Sequence, residues 1–167
     1  DGSLSELSLR DIPFAQTAIE NAPTNEDPRE DVRLVLGDRE GEPREPRPGV
    51  HMRIARDKLR TITVTDMAYV DGILLVAGAS NEEFSSALRR IPFPFGSQAV
   101  SNSLEIYHVS HAKYETASPI RTFVPYGSNT SVLASYTCTP VVHFSLKDLQ
   151  PGVQVHGKTV AELGSGN

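Results

Sequence analysis

The chain has 167 residues, a formal net charge of -5, 38% hydrophobic residues, no tryptophan, and 12 each of glycine and proline. That length supplies one ordinary domain, and abundant turn-formers with a modest apolar fraction suit many short strands better than a helical bundle. The acidic balance excludes a general nucleic-acid binder, which carries a basic patch, and no apolar run approaches the ~20 residues of a membrane-spanning helix.

Residues 1 to 28 carry no sustained period. Ser8 to Phe14 reads as a short extended piece, and Ala15 to Asn21 as one or two helical turns stopped by Pro23. Asp31 to Leu36 alternates charged and apolar residues, the pattern of a half-buried strand. From Gly37 to Arg60 the composition turns rich in proline and charge. Gly41-Glu42-Pro43-Arg44-Glu45-Pro46-Arg47-Pro48-Gly49 favours extended backbone that cannot pair at each proline ring, so 37–60 is expected to be a solvated loop.

The sharpest local signal follows. Thr61 to Val70 is β-branched and alternating, Asp71-Gly72 comes next, and Ile73 to Gly78 is nearly all apolar. Asp-Gly between two such runs predicts a hairpin, because a type I′ turn needs positive φ at both central residues. The second arm reads as a strand buried on both faces. Asn81 to Arg90 predicts a short helix: Ser80 or Asn81 caps it, acids fill its first turn and arginines its last. Phe84, Ala87, Leu88 and Ile91 then share a helical face, giving a helical insertion over 81–91. Phe93 and Phe95, each beside a proline, make an extended aromatic segment that reads as a lid over a core edge or as an interaction groove. Further strands are expected at Ser103 to Val109, Ile120 to Tyr126, Ser131 to Thr139, Val141 to Phe144 and Val153 to Val160.

Motifs that carry chemistry are sparse. His108 and His111 form a His-x-x-His pair with Glu105 and Glu115 nearby, but strand alternation puts positions three apart on opposite faces, poor geometry for chelation. Together with His143 these are weak metal candidates. Cys138, the only cysteine, forms no intrachain disulfide, and reads as a buried inert strand residue rather than a thiolate nucleophile paired with His143. There is no Gly-x-Ser-x-Gly elbow, no Gly-x-Gly-x-x-Gly and no P-loop. Asn129-Thr130-Ser131 matches the glycosylation sequon, which also arises by chance. No cofactor is identified by these residues. The first residue is Asp1 and not methionine, as expected of a chain whose leader was removed or of a piece of a longer protein.

The pattern Asp66-Met67-Ala68-Tyr69-Val70-Asp71-Gly72-Ile73-Leu74-Leu75-Val76-Ala77-Gly78 resembles the blades of quinoprotein-like and YVTN-like β-propellers. The stretch from about 61 to 163 also resembles exported bacterial propeller-like proteins of unassigned activity. The resemblance implies a mainly β chain of about two blades. The first is a unit over 61–126 with the 81–91 helix inserted, and the second a partial blade over 127–167, after an irregular segment 1–60. Two blades cannot close a ring, so a fragment, or a ring completed by other segments or another chain, is expected. A small open β-sandwich is the competing architecture. The function implied is a non-catalytic scaffold binding a protein partner or ligand, in the periplasm or outside the cell. The alternative is part of a propeller enzyme (a quinoprotein-like oxidoreductase, or a metal-dependent lactonase or lyase) with its active site largely outside this chain. In that case Glu105, His108 and His143 are expected to face one polar pocket.

Overall fold

The computed structural model describes residues 2–8, 10, 12–36, 41–95, 100–108, 113–115, 118–137, 140–150 and 153–163. The chain is mainly β, as its composition leads one to expect. Among the described residues thirteen strands form three sheets, none closed into a barrel, and the helical pieces are two 3-10 turns, Leu59–Ile62 and Leu146–Asp148. The helical turns expected at Ala15 to Asn21 do not form. That stretch has only a closing turn from the Ala22 N–H to the Ile19 carbonyl (3.3 Å), since so short an isolated helix cannot offset its nucleation cost.

The first sheet contains β1 (Glu30–Leu36), β2 (Glu42–Arg47) and β3 (Val50–Lys58), with β3 in the centre. The loop expected over 37–60 is therefore corrected: most of it is a hairpin. Arg47 pairs with Val50 across Pro48-Gly49, and Gly49 supplies the left-handed φ of 81°. Proline is tolerated in β2 because β2 is an edge strand and need not donate on its free side.

The second sheet is built on an antiparallel meander of β4 (Asp66–Val70), β5 (Ile73–Ala79), β6 (Ser86–Pro92) and β7 (Val100–His108). The Asp-Gly hairpin forms as expected: Val70 faces Ile73, with φ of 47° at Asp71 and 81° at Gly72. The helix expected over 81–91 is wrong. Ser86 to Pro92 pairs residue by residue with Ala79 to Ile73, and a turn closed by the Ser80 N–H on the Ser85 carbonyl (2.7 Å) replaces the expected cap. The 3.6-residue spacing of Phe84, Ala87, Leu88 and Ile91 loses to a stronger demand. β5 is apolar and buried, so the backbone groups on its second edge need a strand as partner. β8 (Lys113–Glu115) and the two-residue β12 (Val155–His156) also pair with β7, β12 in parallel.

The third sheet is a second antiparallel meander of β9 (Thr122–Tyr126), β10 (Ser131–Ser135), β11 (Pro140–Ser145) and β13 (Lys158–Glu162). β9 pairs with β10, antiparallel, at the edge of this sheet. Directly paired residues share a sheet face. Leu75, Leu88, Leu104 and Ile106 of the second sheet thus meet Val132, Ala134, Val142 and Phe144 of the third in one buried core. Each fully buried aliphatic or aromatic side chain here stabilises by roughly 1.5–3 kcal/mol.

Three polar clamps position these layers. The Asp66 carboxylate on β4 accepts from the Phe123 N–H (2.9 Å) and the Thr122 hydroxyl (2.7 Å) at the start of β9. Burial pulls its pKa upward, but these bonds and one from the Met67 N–H hold it below the ordinary carboxylate range. Arg121 contacts Asp31 (2.5 Å) and Asp57 (3.6 Å) and donates to the Thr137 hydroxyl (2.7 Å), tying the first sheet to the third. The third clamp is Arg89, only 1% exposed. It donates to Asn21 Oδ1 (3.0 Å), the Thr63 carbonyl (3.1 Å) and the Ala79 carbonyl (2.6 Å). Burial lowers its pKa to about 10, and it stays charged at neutral pH.

Arg89→Met should leave two buried carbonyls and the half-buried Asn21 oxygen without their donor and cost on the order of 3 kcal/mol, read by urea unfolding. Burial raises Asp31 to about 6 against the pull of Arg121. The folded form therefore holds that proton more tightly than the unfolded chain. Its stabilising contribution is full below about pH 4 and is lost as pH rises through 6, a fall on the order of 3 kcal/mol. Asp31→Asn should remove that slope from urea unfolding measured between pH 4 and 7.

Candidate functional site

Two of the residues singled out by sequence, Phe93 and Phe95, lie on the segment leaving β6. The Phe93 N–H donates to the Gly72 carbonyl (2.9 Å), which folds this segment back against the β4–β5 turn. The Phe93 ring then stands edge-on to Tyr69, with centroids 6.1 Å apart at 89°, and edge-on to Phe95, at 5.2 Å and 88°. Tyr69 is 63% and Phe93 51% exposed, while Phe95 is half-buried. Met67, two residues before Tyr69 on the same strand face, is also exposed. The result is a cluster of large, polarizable side chains displayed at one end of the second sheet, the composition of protein interaction surfaces. Sequence reading found its phenylalanines but missed Tyr69 and Met67. The signal was present in the period of two along β4, which sends 67 and 69 outward while 68 and 70 face the core.

The metal candidates do not converge among the described residues. His111 and the His108 side chain lie outside them, as does Cys138. Glu105 alternates with the core residues Leu104 and Ile106, and His143 alternates with Val142 and Phe144. Each therefore leaves the shared core on the outer face of its own sheet. Glu105 accepts from Gln154 Nε2 (2.9 Å) and stands 3.1 Å from Nδ1 of His156. His143 packs edge-on to the Tyr126 ring at 6.3 Å. The Glu105–His156 pair was not foreseen, because the parallel β7–β12 pairing that makes it joins residues distant in sequence through a strand of two residues. No group of three or more His, Cys, Asp or Glu among the described residues is placed to hold a metal ion.

Asn129, in the sequon, sits exposed in the β9–β10 turn with φ of 65°. No family model, curated protein or solved structure matches the chain.

The aromatic cluster has a measurable internal signature. A Tyr69→Ala/Phe93→Ala double-mutant cycle should give a coupling of about 0.5–1.5 kcal/mol in urea unfolding. Each single variant should keep the hairpin, since its turn is held by backbone groups.

Proposed function

We propose that this chain is a non-catalytic interaction module of the β-propeller kind, in which the second and third sheets are consecutive blades of a larger ring. The observation that carries this reading is the repetition itself. Two antiparallel arrays of four strands follow one another in sequence, the second broken between β11 and β13 where β12 crosses to the first, and they stack through their apolar faces. Asp66 joins the first strand of one meander to the first strand of the next, which suits strands lining a common axis. The outward face of the third sheet carries Val124, Tyr126 and Val160, each about half exposed. An apolar sheet face needs a covering layer, and the occupant of the same kind is a further four-stranded sheet. In this reading Tyr69, Phe93 and Phe95 form the contact surface for a protein partner.

Sedimentation velocity on the 167-residue chain tests the reading. The open apolar face should drive concentration-dependent self-association, and Val124→Glu combined with Val160→Glu should suppress it. A wild-type chain that sediments as a monomer at every concentration overturns the ring reading.

A further inference from the structure

A cleft of about 420 Å³ opens between the tips of the β4–β5 and β9–β10 hairpins, with the segment Leu146 to Gln150 along its side. Its apolar wall is Val70, Ile73, Leu75 and Leu146. Its charged groups are Arg90, Lys147 and Asp71, and two cations against one carboxylate leave a surplus of one positive charge. Arg90 leaves the core-facing side of β6 beside Leu75, half-buried. One arm of its guanidinium is fixed by donation to the Leu149 carbonyl (3.2 Å). That bond orients the fork, and its other N–H groups have no protein acceptor among the described residues.

We propose that this cleft binds a small amphipathic carboxylate, with the carboxylate on Arg90 and Lys147 and the alkyl body against the aliphatic wall. A planar guanidinium held by one arm presents its remaining donors in the geometry a carboxylate accepts, and its partial burial strengthens the contact. The single surplus charge matches a monoanion. The volume lies at the small end of ligand pockets, ~300–1,000 Å³, and suits a small molecule better than a peptide chain. Asp71 sits at the rim because the turn needs a residue that tolerates positive φ, and there its charge opposes the anion. The site uses the opposite face of the β4–β5 hairpin from the aromatic cluster, so this assignment stands whether or not the chain joins a ring.

Calorimetric titration of the whole chain with octanoate, 1-octanol and octylammonium, together with backbone amide shifts, tests the assignment. Octanoate should bind saturably, with shifts confined to residues 70–75, 90, 129–130 and 146–150. Octanol and octylammonium should bind at least about tenfold more weakly. Lys147→Ala, at an exposed position, should weaken octanoate about fivefold or more, and Arg90→Gln more strongly. Asp71→Asn keeps a residue suited to the turn and should tighten binding. No saturable binding, equal affinity for octanol, shifts centred on Tyr69 and Phe93, or no gain from Asp71→Asn would each overturn the proposal. So would a short peptide ending in a leucine carboxylate that binds more tightly than octanoate.

Discussion

The arrangement of the N-terminal half depends on one buried guanidinium. Among the described residues Arg89 has no carboxylate within hydrogen-bonding distance and is satisfied by neutral oxygens from three separate places: the N-terminal segment, the exit of the Leu59–Ile62 turn, and the end of β5. Only arginine supplies that many donors in a fixed fork. The Thr63 carbonyl it holds comes so near β5 that a side chain at residue 78 would collide with it, which is why that position is Gly78. Asn21, while accepting from Arg89, donates to the Ser101 hydroxyl (2.8 Å) and so fastens a segment without secondary structure onto the outer face of the second sheet. A chain stretch with few apolar residues is ordered there by hydrogen bonds to a cation that water cannot reach.

On the other side of the same sheet the physics is different. The second and third sheets meet mainly through aliphatic and aromatic side chains, and hydrogen bonds join that contact at its margins, as at Asp66, Arg90 and Asn102. The β4–β5 hairpin stands where these two regimes meet. Its outward face carries Tyr69 into the aromatic cluster, and its inward face carries Val70 and Ile73 into the cleft. One two-residue turn thus positions both surfaces of interest, and a change in its register would exchange them.

The sequence made the strand-rich class and the Asp-Gly hairpin legible because both are local: composition and a turn that demands positive φ. It misled at β6, where Phe84, Ala87, Leu88 and Ile91 fit a helix by spacing. The deciding fact there was the unmet edge of β5, which is not local to residues 81–91. It misled again at β2 and β3, where the prolines outweighed the alternating Met52 and Ile54; an edge position removes the proline penalty, and edge status is a property of the sheet. Of the candidate surface, the phenylalanines were visible because aromatics between prolines stand out. Tyr69 and Met67 needed the strand's facing, and Glu105 with His156 needed a parallel pairing that no turn announces.

That parallel pairing has a further consequence. After β11 the chain does not pass directly to the next strand of its own sheet. It crosses to β7, where the Asn102 amide donates to the Gln150 (2.5 Å) and Val153 (2.9 Å) carbonyls and β12 pairs with Leu104 and Glu105. Only then does it return as β13 beside β11. The earlier sheet is therefore completed by residues made after most of the later one. During synthesis, a nascent chain that has emerged only as far as β11 presents two unfinished sheets, and residues 155–162 add a strand to each. The two sheets are interleaved in chain order, so neither gains its full set of strands before residues 155–162 are made.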